Sequence, residues 1–406
     1  MSKYSLFSVM GIEIEYMLVD KDTLCVQPKS DLLLKALAGE VVNEVIVGDI
    51  AISNELVMHV LELKNNGPKT PDTDITAQFQ ATITALSPLL DAHNLMLLPT
   101  AAHPFMNPHT ETKRWPYDNT EIYKQYDSIF NCKGHGWSNL QSMHVNLPFA
   151  NDDEFYILHN SIRLLLPLLP ALAASSPILD GAPTGMLDTR LSFYNTNQAK
   201  IPAIAADIIP EFIQSQKEYQ DTILNPMYAA ISPFDPDQIL QYEWLNSRAA
   251  IPKFDYGAVE IRIIDSQECV NADIAIAHVI QAILKHWHTF RTSSQRAVHS
   301  TQALKKIYDQ TIEQGLNVII EDLNFLHACE LPTRPMTVRD AWSLLIERVS
   351  AELTREDQLA LENILTHGNL SERILKACNK DFSRANLIKV YQNLGQCLVK
   401  NSLFIG

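Results

Sequence analysis

Gly11-Ile12-Glu13-Ile14-Glu15-Tyr16-Met17-Leu18-Val19-Asp20 alternates as a β-strand does. Ile12, Ile14 and Tyr16 point to one face, and Glu13 and Glu15 to the other. On an edge strand both carboxylates would sit in water, giving a half-exposed amphipathic strand. The flanks argue for the interior of a sheet: Phe7, Val9 and Met10 precede the pair, and Met17, Leu18 and Val19 follow it. Two carboxylates about 7 Å apart on one strand face then call for a cation. At an effective dielectric near ~20, like charges at ~4 Å cost about 4 kcal/mol. A divalent metal would reverse that sign.

Three further segments place polar groups in apolar strand-like surroundings. They are Glu55 with Glu62, His144 with Asn146, and Glu260 with Arg262. Each has a plain alternative. Glu62 could be a solvated strand residue, His144 a satisfied sheet histidine, and Glu260–Arg262 a surface ion pair of little value. Together, five carboxylates and one imidazole suit oxygen-seeking Mg²⁺ or Mn²⁺. Zinc would prefer cysteine and histidine clusters, which the chain lacks. Carboxylates around more than one Mg²⁺ commonly hold nucleotide phosphates, and a neighbouring arginine would neutralise a transferred phosphoryl group. There is no Walker motif and no protein-kinase glycine-rich loop. Glu55 and Glu62 are seven apart, so a bulge or turn must bring them to one face.

The 406-residue chain is 46% hydrophobic and 19% charged, which supports a large core. Its formal net charge of −15 disfavours nucleic acid and anionic membranes as partners. An anionic small molecule remains compatible, because metals and a few arginines invert the field locally. Six scattered cysteines without a Cys-x-x-Cys pair read as reduced thiols. No signal-peptide run and no eighteen consecutive apolar residues are present, so a cytoplasmic protein is expected.

Helices are expected over residues 30–37, 74–93, 152–174 and 271–290, with Asn151 or Asp152 capping the third and Pro167 and Pro170 disturbing its end. Strands are expected over 1–20, 41–52 with a break at Gly48-Asp49, 59–63, 95–98, 138–147 and 256–265. Residues 181–185 and 192–210 read as loop, the latter near a site. From Thr301 onward the pattern is helical, with a capping-box-like Thr337-Val-Arg-Asp340. The expected layout is an α+β unit over residues 1–295 with a C-terminal helical segment, 296–406, packed on it. His286-Trp287-His288 reads as incidental to the site.

Gly11-Ile-Glu-Ile-Glu, the Glu55-to-Glu62 spacing, His103-Pro104, Met143-His-Val-Asn, Thr189-Arg190 and Ala258-Val-Glu-Ile-Arg-Ile-Ile-Asp occur in the order seen in glutamate–cysteine ligases. The chain most resembles the bacterial family 2 group, the carboxylate–amine ligases, over roughly residues 8–290. The resemblance implies a glutamine-synthetase-like catalytic fold. A curved, mainly antiparallel sheet would form a funnel for ATP, metal ions and an amino acid, with helices on its outer face. By resemblance Glu15, Glu55 and Glu62 would hold one Mg²⁺, and Glu13, His144 and Glu260 a second on the ATP phosphates. Arg262 would contact the transferred phosphate, and Arg190, in loop surroundings, the substrate carboxylate or phosphorylated intermediate. Asn146 stands where family 2 members often carry a second histidine, and the 181–189 loop departs from the pattern. Both departures bear on the second substrate.

The implied activity is ATP-dependent amide formation through an acyl phosphate, from the glutamate γ-carboxylate and cysteine or another amine. The rivals are an ATP- and metal-dependent phosphotransferase acting on a carboxyl or guanidino group, and a non-catalytic ATP-binding relative. No protein nucleophile is needed, which agrees with the lack of a Ser/His/Asp or Cys/His signature. The long C-terminal helices would suit a homo-oligomer.

Overall fold

The computed structural model describes residues 4–291 and 298–406. The strand β1 (Gly11–Asp20) lies inside an eight-stranded antiparallel sheet, not at its rim. The others are β2 (Glu44–Val47), β3 (Ile50–Asn54), β4 (Val60–Asn65), β5 (Leu95–Leu98), β6 (Ser142–Pro148), β9 (Ala250–Lys253) and β10 (Ala258–Asp265). The short hairpin β7 (Ile178–Leu179) and β8 (Ala182–Pro183) forms a separate sheet within the expected loop. Strand order is β2-β3-β4-β1-β6-β10-β9, with β5 also paired to β1. One edge of β1 pairs with β4; the other pairs with β6 along Gly11–Ile14 and with β5 along Met17–Asp20.

The two faces of β1 have different fates. Ile12, Ile14, Tyr16 and Leu18 are buried in the main core, with Phe79 and Ile83 of helix Ile75–Ala92 and Ile276 and Ile280 of helix Val270–Phe290. Each such side chain contributes about 1.5–3 kcal/mol when fully buried. On the opposite face Glu13 and Glu15 give way to Met17 and Val19. These pack in a second core with Leu370, Ile374, Leu387 and Tyr391 of the C-terminal helices Leu370–Cys378 and Arg384–Lys400. Those helices therefore cover the far end of the carboxylate-bearing face.

The expected 152–174 helix is cut in three. Asn151 caps it by accepting from the Glu154 N–H at 3.0 Å. The α-helix runs over Asp152–Leu165, tightens to a 3₁₀ turn at Leu166–Leu168, and resumes over Leu169–Ala173. Pro167 and Pro170 cannot donate to the helical ladder, which accounts for the break. This segment is long and apolar enough to cross a membrane but is largely buried within the protein. The expected 138–147 strand starts only at Ser142, because His135–Ser138 forms a helical turn. Thr337 caps Val338–Val349, but Asp340 accepts from the Thr337 hydroxyl instead of its N–H, so the box is half formed.

Helices beyond residue 300 share the main core. Leu304 and Ile307 of Thr301–Gln314 join it, as do Leu361 and Ile364 of Arg355–His367. Arg373 forms a fully buried ion pair with Glu268, just past the end of β10. The expected boundary at 295/296 lies outside the described residues. All six cysteines are free thiols.

Candidate active site

Antiparallel register brings the acidic strands together, because directly opposed residues share a face. Glu13 on β1 lies opposite His144 on β6 and Lys64 on β4. Glu15 lies opposite Glu62, and Glu260 on β10 lies opposite Asn146. Glu55 follows the last residue of β3, and the turn between it and β4 returns the chain so that Glu55 meets Glu62. This turn resolves their seven-residue spacing. Two clusters result: Glu13, His144 and Glu260, and Glu15, Glu55 and Glu62. Within each, the ligand atoms lie within 4.8 Å of one another.

Ser142 links the clusters. Its hydroxyl lies 2.9 Å from His144 Nε2 and donates to Glu15 Oε2 at 3.0 Å, while its backbone N–H donates to the same oxygen at 2.7 Å. His144 Nδ1 lies 3.2 Å from Glu13, and Asn146 Nδ2 donates to Glu13 at 3.1 Å. Asn146 therefore supports the first cluster by hydrogen bonding.

The clusters are electrostatically unlike. In the second, burial and Glu62 push the Glu15 carboxyl up to about 7. Burial, Glu62 and Glu15 raise Glu55 well above the carboxylate range, and burial and Glu13 raise Glu62. In the first, burial also pushes Glu13 up, but the hydrogen bond from His144 and the charge of Lys253 outweigh it and hold Glu13 well below that range. Burial lowers His144 to about 4. Five carboxylates and one imidazole, three carboxylates of them mutually repelling, fit hard divalent cations such as Mg²⁺ or Mn²⁺.

Both arginines belong to the same constellation. Arg262 Nε lies 2.8 Å from Glu260, and its Nη1 donates to the Asn246 carbonyl at 3.1 Å. It sits in a β-bulge between Ile261 and Ile264, where an extra residue re-aims the strand. Glu260 is 1% exposed, so this is no surface ion pair. Glu62 is likewise buried, which removes the solvated-strand alternative. Arg190 lies on helix Thr189–Tyr194, not in a loop, because Asp188 caps that helix through the Leu191 N–H. Its Nε pairs with buried Asp265, while Nη2 has no protein partner.

Glu15, Glu55, His144, Arg190 and Arg262 open onto one cavity of about 390 Å³. Its wall is also aromatic, with Tyr123, Tyr126, Trp137, Tyr194 and Trp244; Asn197 and Gln198 from the 192–210 segment line it too. Sequence reading missed this wall and missed Lys253. Lys253 lies against Glu260 as an ion pair without hydrogen-bond geometry, and 3.6 Å from Glu13. The available signal was a lysine closing the apolar run Ala249–Pro252. His286, Trp287 and His288 do not converge on the cavity: His286 pairs with Glu330 at 2.9 Å and Trp287 is buried in the core.

Residues 9–392 match the family model described as glutamate-cysteine ligase family 2. The chain belongs to this family. A relative from Archaeoglobus fulgidus, described as an uncharacterized protein, is 32% identical over 98% of this chain and 100% of its own length. A Cronobacter sakazakii protein, provisionally named glutamate–cysteine ligase 2, is 26% identical over 68% of this chain and 67% of its own. Among solved structures, the glutamate–cysteine ligase of Francisella tularensis in complex with AMP superposes with a TM-score of 0.61. It is 14% identical, and the match covers 97% of this chain and 89% of that one. A bifunctional glutathione synthetase from Pasteurella multocida gives 0.58 at 12% identity, over 95% of this chain and 52% of that one. The α+β fold with its mainly antiparallel sheet is thus the fold of these ligases, as the family 2 resemblance implied.

Proposed function

We propose that this family 2 protein is an ATP-dependent carboxylate–amine ligase that joins the γ-carboxylate of glutamate to an amine. The observation that carries the reading is the pair of carboxylate clusters on one sheet face, with Arg262 and Arg190 beside them. The AMP bound by the Francisella tularensis enzyme supports an adenine nucleotide as co-substrate. Glu13, His144 and Glu260 would hold one Mg²⁺ or Mn²⁺, and Glu15, Glu55 and Glu62 another. Such ions, when bound, supply positive charge to the phosphate oxygens of ATP.

An oxygen of the γ-carboxylate attacks the γ-phosphorus. The bond to the β–γ bridging oxygen breaks, and ADP departs with that electron pair. Arg262, positioned by Glu260 and the Asn246 carbonyl, stabilises the charge on the moving phosphoryl group. Arg190, anchored by Asp265, lines the same cavity and pairs there with the acid or the acyl phosphate. The amine nitrogen then attacks the acyl carbon, and phosphate leaves with the proton the amine gives up. Exclusion of water would protect the acyl phosphate from hydrolysis, and the aromatic side chains lining the cavity contribute apolar surface to that end.

The test is ADP release with ATP, Mg²⁺ and glutamate, screening cysteine against other amino acids and simple amines. Strong stimulation by an amine, with amide product by mass spectrometry, is expected. ADP release independent of any amine would indicate a phosphotransferase, and ATP binding without turnover a non-catalytic relative.

A further inference from the structure

Arg262 has two anchors of different kinds. Its Nε lies 2.8 Å from Glu260, and its Nη1 donates to the Asn246 carbonyl at 3.1 Å. Glu260 is contested, because Lys253 pairs with it and it belongs to a cluster suited to a metal ion. A carboxylate shared among several cations does not fix one guanidinium by itself. The main-chain carbonyl is the steadier anchor, and it is held as well as the segment that carries it.

That segment is locked on several sides. Asn246 is fully buried. Its N–H donates to the Glu243 carbonyl at 3.1 Å, and its Nδ2 donates to the Tyr219 hydroxyl at 2.6 Å. Its Oδ1 accepts twice from Arg248, from the backbone N–H at 3.2 Å and from Nη1 at 3.1 Å. Arg248 is itself 3% exposed and grips Glu211 with both prongs, Nε to Oε2 at 2.6 Å and Nη2 to Oε1 at 2.7 Å.

The same stretch also holds the backbone of Arg262. The Ala249 carbonyl accepts from the Arg262 N–H at 2.9 Å, and the Ala249 N–H donates to the Ile208 carbonyl at 2.8 Å. Buried Ile208 has φ 68°, a left-handed conformation that a β-branched residue rarely adopts. Such strain persists where the surroundings over-determine it, and it clusters at functional sites. Residues 246–249 thus hold Arg262 by head and by backbone, and residues 208–211 hold residues 246–249.

We propose that Arg248 is a positioning residue for the phosphoryl step. Paired with Glu211, it fixes Asn246, and through the Asn246 carbonyl it fixes the guanidinium of Arg262. The inference rests on the ligase reading, in which Arg262 meets the moving phosphoryl group.

The test is a double-mutant cycle between Arg248 and Arg262. Arg248→Met keeps an apolar stem in the buried position, and Glu211, whose side chain is 40% exposed, can return to water. The assay is ADP release with ATP, Mg²⁺, glutamate and cysteine, or the most stimulating amine of the screen. Arg248→Met is expected to lower kcat by about tenfold to a hundredfold, with KM for ATP and glutamate changed less than about twofold. In an Arg262→Met background the same substitution should change kcat by less than about twofold. Loss by the same factor in both backgrounds would mark a purely structural role and overturn the proposal, leaving the ligase reading standing. Arg248→Lys, which keeps the charge but not the fork, gives a readout independent of turnover. In protein labelled with ¹⁵N-arginine, the Arg262 guanidinium cross-peak, assigned by its loss in Arg262→Met, is expected to shift. An unmoved cross-peak would likewise overturn the proposal. Absence of ADP release from the wild type with every amine would overturn both readings.

Discussion

Glu15 and Glu62 stand directly opposite each other on β1 and β4, two like charges at one cross-strand position. Such pairing destabilises a sheet, and Glu55 brings a third carboxyl within 4.8 Å. Hydrophobic burial on the reverse face, through Ile14, Tyr16, Leu61 and Leu63, holds the strands in this register despite the repulsion. The site is thus carried at a cost to stability, as functional sites often are.

Glu55→Gln removes one charge from this cluster at nearly constant volume. At about pH 8 and in chelator, the variant is expected to be more stable by roughly 0.5–1 kcal/mol, measured by urea denaturation. Saturating Mg²⁺ or Mn²⁺ should raise the Tm of the wild type, and raise that of the variant less. Equal Tm shifts in the two proteins would remove Glu55 from the ligand set.

Glu13→Gln and Glu260→Gln act on the cluster beside Arg262. Each is expected to lower ADP release by roughly 10²–10³-fold or more, with the circular dichroism spectrum unchanged. Full turnover in both variants would refute the assignment of this cluster to ATP.

Lys253 occupies the ground a divalent cation would take, against Glu260 and 3.6 Å from Glu13. Lys253→Met removes this internal competitor. In a Mn²⁺ titration followed by electron paramagnetic resonance, the variant is expected to bind the ion several-fold more tightly. Its metal-free Tm should fall, because half-buried Glu13 and buried Glu260 lose a partner. Weaker Mn²⁺ binding would show instead that Lys253 assists the ion.

Asp265 accepts from the Ser175 N–H at 2.8 Å and the Ser176 hydroxyl at 3.0 Å, besides pairing with Arg190. Asp265→Asn breaks a buried pair and is expected to cost about 3–5 kcal/mol, read from the chemical-denaturation midpoint. Arg190→Lys keeps the charge but loses the planar fork, so KM for the acid should rise by a larger factor than kcat falls. A change in kcat alone would place Arg190 on the phosphoryl group.

His103 and His159 are buried against the carbonyls of Leu24, at 2.7 Å, and Glu211, at 3.0 Å. Burial holds them at about 3 and about 4, below the ordinary 6.5. Below pH 6.5 the unfolded chain takes up protons that the folded chain refuses, so stability falls as the pH falls towards 4. Each imidazole contributes on the order of 3–5 kcal/mol over its full window. Urea midpoints taken from neutral to acidic pH should show this slope, and His159→Gln should flatten it. A midpoint independent of pH in this range would contradict the neutral, buried state of both rings.

Much of the site could be read from the chain. Glu13 and Glu15 announced themselves by alternating with apolar residues, as did His144 and Glu260. The turn between Glu55 and Glu62 followed from their odd spacing, and it forms immediately after β3. The aromatic wall left no such trace. Tyr126 lies on helix Thr120–Phe130, Trp137 on the turn His135–Ser138 and Trp244 on the turn Glu243–Leu245. Side chains from three separate, irregularly spaced elements share no period. Arg190 was legible as a residue but not in its setting, since the pair that anchors it spans 75 positions.

By itself the sequence determined that one strand carries Glu13 and Glu15 on one face, and that two others do the same with His144 and Asn146 and with Glu260 and Arg262. That follows from local periodicity, because successive strand residues alternate faces whatever surrounds them. Tertiary structure alone decided that Glu15 faces Glu62, that Glu13 faces His144, and that Lys253 reaches between Glu13 and Glu260. Register between strands distant in sequence is set by how the apolar reverse face packs on its helices, and a shift of one residue would turn every carboxylate to the other side.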